Sequence, residues 1–308
     1  MMAEGAIVPA AKKKPQRKKV QQEGDPAKYE PVPSDVAAYG KRDFWDERYL
    51  NNPEPFEWYH GYHALKGLFD ELIGDKEAHI LIVGCGNSGL AAEMQRDGYN
   101  SLMNIDVSRV VIDQQLARHR AISVEQSVPK PRKKGEAAPL EFPKLWNRND
   151  LGGVQWMQCD ACDLAANFED QAFDVVIDKA LLDALYCAEV PHRQVMRYLQ
   201  EMDRVLMPTG QLIVVSYGQP ETRLDKLEDT DEESENFLAW ETEVHAVPKQ
   251  NVDPYFVSSL KDPGDVYYAY TCIKDEKLDN EKANQRRIAR ARAKGKKSAF
   301  KKSRKPKK

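Results

Sequence analysis

The run His79-Ile80-Leu81-Ile82-Val83-Gly84-Cys85-Gly86-Asn87-Ser88-Gly89-Leu90 constrains the fold of this chain more than any other stretch. An apolar run leads into two glycines one residue apart, which predicts a buried strand, a tight turn and then a helix. Lacking a Cβ, Gly84 and Gly86 let the backbone come close to a ligand. A second strand follows in Asn104-Ile105-Asp106-Val107-Ser108, and Asp106 lies 22 residues beyond Gly84. At that distance in a βαβ unit an acidic side chain accepts hydrogen bonds from ribose hydroxyls. The two stretches predict the front half of a nucleoside-cofactor site, although a plain tight turn would use the same glycines.

A dinucleotide site is expected to show the fuller Gly-x-Gly-x-x-Gly pattern with a helix N-terminus open to pyrophosphate, whereas here Leu90 is read as the third position; a phosphate loop needs a lysine after its glycines. No lysine follows here, so the loop suits a cofactor with a ribose and an amino-acid tail but no phosphate. Val154-Gln155-Trp156-Met157-Gln158-Cys159-Asp160 predicts a third strand ending in an acid, and Phe173-Asp174-Val175-Val176-Ile177-Asp178-Lys179 a fourth. Ligands of open parallel sheets bind at the carboxyl ends of strands, so Gly84, Asp106, Asp160 and Asp178-Lys179 are expected to converge on one crevice.

This ordered set resembles the class I, S-adenosylmethionine-dependent methyltransferases. The resemblance narrows upstream, where Tyr39-Gly40-Lys41-Arg42-Asp43-Phe44-Trp45-Asp46-Glu47-Arg48-Tyr49 and Phe56-Glu57-Trp58-Tyr59 are similar to the entry segment of a methyltransferase-like family. That family includes the lysine methyltransferases of translation elongation factor 1-alpha. Its blocks recur here in order from about residue 39 to 220, including Asp178-Lys179-Ala180-Leu181-Leu182-Asp183-Ala184-Leu185.

The resemblance implies a Rossmann-like, seven-stranded α/β sheet with helices on both faces, and S-adenosyl-L-methionine as cofactor. It implies that Trp45, Tyr49 and Trp58 surround the methionine end of the ligand above Gly84 and Gly86. Asp106 and Val107 would meet the ribose and adenine edge, Asp160 and Ala161 the adenine, and Lys179 the far wall. Ordinary core packing is the competing reading of the tryptophans. The family commonly has Gly-Thr where this chain has Ala180-Leu181, beside the acceptor side of the pocket. That departure leaves the substrate open.

Methyl transfer from a sulfonium is an in-line displacement, so the enzyme has to align a neutral nucleophile and exclude water; no triad or metal is required. A lysine acceptor must first lose its proton, which an acidic or aromatic-lined pocket assists. Asp183 and Tyr217, after the fourth and fifth strands, are the acceptor-side candidates, against the plainer readings of a helix-surface carboxylate and a half-buried tyrosine.

With 308 residues, 41% of them hydrophobic, the chain has room for one α/β domain of about 200 to 250 residues plus tails. No apolar stretch approaches membrane-spanning length and no signal-peptide core is apparent, which predicts a cytoplasmic protein. Five cysteines suit a reducing compartment. Cys159-x-x-Cys162 has no second pair and is expected to be structural rather than metal-binding.

The net charge of −3 conceals an asymmetry: residues 1–19 hold six basic residues and one acid, residues 282–308 fourteen basic residues and no acid, and the stretch between carries −22. Asp225, Glu228, Asp229, Asp231, Glu232, Glu233 and Glu235 crowd one loop, which would repel RNA and attract a lysine-rich protein. The basic ends read as disordered tails suited to weak nucleic-acid contact or a nuclear address, or to simple solubility; the stretch 281–293 has helical composition.

The expected organisation is a disordered tail over 1–35, a methyltransferase domain over 36–275 and a basic tail over 276–308. Within the domain, an insertion from about 123 to 153 is expected to be a disordered loop. A helix is expected over 64–73, with Leu65, Leu68, Phe69 and Leu72 on one face. The core follows with strands near 79–84, 101–106, 154–158, 173–178 and 210–217 and helices near 88–97, 108–120, 180–187 and 191–206. Met207-Pro208-Thr209-Gly210 is expected to turn between the last helix and the fifth strand, and strands near 240–247 and 265–273 to finish the sheet. The leading functional reading is a protein-lysine methyltransferase; an RNA or small-molecule methyltransferase, or a cofactor-binding scaffold without turnover, are the alternatives.

Overall fold

The computed structural model describes residues 35–126, 145–228, 240–249 and 264–275, together with Pro33 and Leu238. The expectations for the N- and C-terminal tails, the helical stretch 281–293 and most of the acidic loop fall outside the described residues.

Seven strands form one sheet in the order β3-β2-β1-β4-β5-β7-β6. The strands are β1 Ile80–Val83, β2 Ser101–Asp106, β3 Gly153–Gln158, β4 Phe173–Lys179, β5 Leu206–Ser216, β6 Trp240–Pro248 and β7 Val266–Lys274. β1 pairs in parallel with β2 and β4, β2 with β3, and β4 with β5, whereas β7 runs antiparallel to both β5 and β6. This is the Rossmann-like seven-stranded arrangement expected from the resemblance, and chain reversal between β2 and β4 around central β1 leaves a crevice at the carboxyl ends of the strands.

The period-2 alternation of a strand decides which layer each side chain joins. Ile80 and Ile82 of β1 pack into one apolar cluster and Leu81 and Val83 into the other, all at 3% exposure or less. On the first face lie helices α1 Arg42–Asn51, α2 Tyr62–Leu72, α3 Leu90–Arg96 and α4 Arg109–Gln126. The second face carries α5 Leu181–Tyr186, α6 Pro191–Val205 and α7 Pro220–Leu227. α6 opens on Pro191, where a missing N–H costs nothing, and buries Val195, Met196, Leu199 and Met202 at helical spacing. Each such side chain contributes about 1.5–3 kcal/mol on leaving water. α2 likewise buries Leu65 and Phe69, with Leu68 and Leu72 half-buried beside them.

Two expectations are corrected. β5 begins at Leu206, so Met207-Pro208-Thr209-Gly210 lies inside the strand as an irregularity: the pairing jumps from Phe173↔Leu206 to Val175↔Gln211. Its turn character survives locally in the positive φ of Thr209, 64°. The irregular stretch expected over 123–153 is also shorter at both ends. α4 runs to Gln126, and residues 145–152 contain a 3-10 turn, Arg148–Asp150, capped by Asn147. Trp146 supplies the reason: it is 6% exposed in the core and its backbone bridges to Phe168, anchoring the chain before β3. Residues 127–144 lie outside the described residues. No helix among the described residues is long and apolar enough to cross a membrane.

Candidate functional site

A cavity of about 400 Å³ opens at the carboxyl ends of β1, β2, β3 and β4, within the range of small-molecule sites. All ten residues nominated from the sequence line it: Trp45, Tyr49 and Trp58 from the entry segment, Gly84 and Gly86 after β1, Asp106 and Val107 at the end of β2, Asp160 and Ala161 after β3, and Lys179 at the end of β4. Asp178 does not. It is fully buried and turns back to accept from the Leu181 and Leu182 N–H groups at 2.8 and 2.9 Å and from the Tyr198 hydroxyl at 2.6 Å. Alternation along β4 sends adjacent side chains to opposite faces, so only Lys179 of the pair reaches the crevice. Burial pushes the Asp178 carboxyl up to about 7.

The glycine turn is held from four directions. Gly84 and Gly86 adopt φ of 57° and 53°, where an L side chain is strained, and a Cβ on Gly86 would lie 3.0 Å from the Tyr49 hydroxyl. The Gly86 N–H donates to one Asp106 oxygen and the Ser108 N–H to the other, both at 2.9 Å. Each carboxylate oxygen keeps a further lone pair for a hydroxyl. Burial pushes Asp106 up to about 6. Gln115 of α4 donates to the Gly86 and Ser88 carbonyls at 2.8 Å each. Asn87 donates to the carbonyls of Asn52 and Glu54, tying the turn to the entry segment.

The expectation that Leu90 breaks the dinucleotide pattern is corrected: the third position is Gly89, so Gly84-x-Gly86-x-x-Gly89 has the spacing of a dinucleotide turn and the glycines alone do not exclude a pyrophosphate. Glu57 does. Its carboxylate accepts from the Gly89 N–H at 2.6 Å and the Ser88 hydroxyl at 2.7 Å, placing the protein's own anion at the start of α3. A phosphate there would meet like charge where it needs free N–H donors. The structure thus fits a cofactor with a ribose and no phosphate.

Glu57 begins a strap. Its second oxygen also accepts from the Lys179 ammonium at 2.9 Å, which donates in addition to the Trp58 carbonyl at 3.0 Å. Lys179 therefore lines the cavity while its charge is spent on holding the entry segment. Two residues on, the Tyr59 hydroxyl donates to Asp183 at 2.5 Å, and His60 Nε2 contacts the Pro248 carbonyl at 2.7 Å at the end of β6. Burial and the Asp183 carboxylate raise the Tyr59 phenol, which stays a donor, and burial lowers His60. Tyr59 carries φ 63°, a conformation kept only where its surroundings over-determine it. Three side chains within four residues, Glu57, Tyr59 and His60, tied to β4, α5 and β6, supply that.

Trp45 and Tyr49 stack at 5.9 Å, and Trp45 Nε1 donates to the Tyr39 carbonyl at 2.8 Å. The Arg48 guanidinium, on a residue 7% exposed, lies 5.0 to 5.7 Å from the ring centres of Trp45, Tyr49, Phe56 and Trp58. Asp46 accepts from the Ser108 hydroxyl at 2.5 Å and so fastens α1 beside Asp106. Arg48, Glu57 and Gln115 were not among the residues nominated from the sequence. Glu57 had a visible signal, a lone charge in the aromatic run Phe56–Tyr59; Gln115, on a polar stretch of α4, had none.

On the acceptor side, Asp183 lines the cavity and Tyr217 does not; Tyr217 is 62% exposed. Asp183 also accepts from the Ser216 hydroxyl at 2.5 Å and from the Tyr217 N–H and Arg223 Nη2 at 2.9 Å each. With four donors it organises the ends of α5 and β5. Ala180, expected to differ from a family glycine, adopts φ 79°, which explains a glycine preference at that position. Leu181 packs over Gly84, its Cβ 2.9 Å from where a Gly84 Cβ would be. Cys159 and Cys162 are buried, with thiols directed at Asn167 Oδ1 and the Gln194 carbonyl.

Comparison with known proteins places this geometry in context. The family model of thiopurine S-methyltransferase (TPMT) matches residues 40–261. The eEF1A lysine and N-terminal methyltransferase of Mus musculus is 31% identical over 191 residues, 61% of this chain and 23% of that protein. Its Homo sapiens counterpart is 29% identical over the same length and shares. The EEF1A lysine methyltransferase 4 of Bos taurus is 27% identical over 210 residues, 65% of this chain and 70% of that protein. The matched region spans under a quarter of the length of the first two relatives.

Proposed function

This chain belongs to the thiopurine S-methyltransferase (TPMT) family, and from that premise we propose that it transfers a methyl group from S-adenosylmethionine to a lysine of a protein substrate, with translation elongation factor 1-alpha as the candidate acceptor. The observation that carries the reading is the single cavity lined by all ten nominated residues, whose helix N-terminus is closed to phosphate by Glu57. S-adenosylmethionine supplies, when bound, a methyl on a sulfonium whose thioether leaving group is already activated.

In this reading Asp106 accepts from the ribose hydroxyls through the lone pairs that Gly86 and Ser108 leave open. Asp160 and Ala161 border the adenine, and the aromatic faces of Trp45, Tyr49 and Trp58 attract the cationic end of the donor. The Glu57–His60 strap holds that wall in place and excludes water from the transferring methyl. The protein-lysine acceptor is favoured over RNA by the −22 charge of the stretch between the basic ends and by the names of the curated relatives. The family model's own name favours a small molecule as the second reading.

Calorimetry with S-adenosylmethionine and S-adenosylhomocysteine tests the cofactor, and absence of binding refutes the proposal. Incubation with tritiated S-adenosylmethionine and recombinant elongation factor 1-alpha tests the acceptor. Label on lysine of the factor supports the proposal. Ribonuclease-sensitive or small-molecule label from lysate, with none on protein, replaces it with the second class of acceptor, and cofactor binding without any label leaves a scaffold.

A further inference from the structure

Beside the cavity, outside the residues that line it, a lysine ammonium already sits on an aromatic surface. Lys249 Nζ lies 5.1 Å from the ring centre of Tyr217 and 5.0 Å from that of Tyr267, and donates to the Gly264 carbonyl at 2.9 Å. Two phenol faces and one carbonyl are the groups that bind an alkylammonium: quadrupoles for its charge, an acceptor for its proton. Tyr267 packs on Tyr59 with centroids 4.7 Å apart, and Tyr59 lines the cavity. One ring therefore separates this surface from the site of chemistry. Tyr217 is tied to that site as well, through its N–H bond to Asp183.

We propose that the Tyr217–Tyr267 cleft is the docking site for a lysine side chain of the protein substrate, and that Lys249 holds it as an internal competitor until substrate displaces it. The assignment rests on the protein-lysine reading above and deepens it. A cleft that accepts an ammonium from its own chain at these distances has the chemistry to accept one from another, and Tyr217, at 62% exposure, keeps it open to solvent. Asp183 cannot play this part, because Arg223 already neutralises it and four donors fill it. An internal occupant lowers apparent affinity by the fraction of time it fills the site. Two partly exposed ring contacts correspond to about a three- to tenfold effect.

The test uses hexalysine as probe, titrated calorimetrically into the full chain with S-adenosylhomocysteine present. Lys249→Gln should tighten hexalysine binding about three- to tenfold, whereas Arg109→Gln, the same charge change at an exposed site on α4, should leave it unchanged. Tyr267→Leu in the Lys249→Gln background should erase the gain and Tyr267→Phe should keep it. In parallel, Lys249→Gln should lower KM for elongation factor 1-alpha by a similar factor with kcat unchanged. Unaltered or weaker binding in Lys249→Gln, an equal gain in Arg109→Gln, or a gain that survives Tyr267→Leu overturns the site. Absence of methyl transfer with the probe gain intact overturns instead the function on which it rests.

Discussion

Glu57→Ala should weaken the fold and the cofactor site together, because one carboxylate serves both. In the native protein it meets the Lys179 ammonium, whose side chain is 6% exposed, and it also satisfies the Gly89 N–H and the Ser88 hydroxyl. Removing one partner of a buried pair costs about 3–5 kcal/mol, chiefly because the other charge is left without compensation. Glu57 is 29% exposed and Lys179 keeps its bond to the Trp58 carbonyl, so water and that carbonyl recover part of the loss. The net is about 2–3 kcal/mol, which at a urea slope near 3 kcal/mol per molar moves the midpoint down by about 1 M. Loosening the strap also frees the wall that carries Trp45 and Trp58, and affinity for S-adenosylmethionine should fall about tenfold or more, equivalent to about 1.4 kcal/mol.

The decisive comparison is a double-mutant cycle. Glu57→Gln alone strands the ammonium, whereas Glu57→Gln with Lys179→Met removes the stranded charge and should recover more than about 1 kcal/mol of stability. A urea midpoint within about 0.2 M of wild type for Glu57→Ala, or additivity in the cycle, refutes the reasoning.

Asp106 makes the cofactor site sensitive to pH. Burial holds its carboxyl at about 6, above the unfolded value, so the native state binds the proton more tightly than the unfolded chain. Its contribution therefore favours the fold at low pH and is lost as pH rises through about 6. Ribose hydroxyls need the ionised form, so calorimetric affinity should strengthen from pH 5 to 7 and then level, and Asp106→Asn should flatten the profile; a flat wild-type profile sinks the assignment. Gly86→Ala, at φ 53° and against the Tyr49 hydroxyl, should cost about 1–2 kcal/mol by chemical denaturation and weaken the cofactor, and a neutral outcome would count against the turn geometry. Ala180→Gly relieves a left-handed alanine at φ 79°. After the entropy that glycine adds to the unfolded chain it should gain about 0.5 kcal/mol, seen as a melting point higher by about 1–2 °C. A clear loss would show that the Ala180 methyl packs usefully.

Much of the sheet was legible because the strands announce themselves locally. Ile80–Val83 is apolar at every position, as a strand covered on both faces must be, and the glycines and Asp106 sit at a spacing set by one βα unit. The same local reading placed the turn Met207–Gly210 outside β5, since a proline and a glycine punctuate a chain whether or not a neighbouring strand then pairs across them. It also stopped short of Trp146, one tryptophan in a polar stretch, whose burial depends on β3 and Phe168 being where they are.

What the sequence by itself determined is the order of elements, the parallel core and the strand-end residues Gly84, Gly86, Asp106, Asp160 and Lys179 that border the cavity, because strand period and glycine conformation are properties of a few consecutive residues; Trp45, Tyr49, Trp58, Val107 and Ala161 followed only from the family resemblance. Only the tertiary structure decided how those residues are used. The Glu57–Lys179 pair joins positions 122 residues apart, Tyr59–Asp183 joins positions 124 apart, and Gln115 reaches the glycine turn from α4, 29 residues on. Such pairings form where separate elements cross, and a carboxylate's partner is whatever donor the fold brings within about 3 Å of it. The lysine held between Tyr217 and Tyr267 belongs to the same class: its meaning lies in which ring stands behind it, and that is set by the packing of β7 against the entry segment.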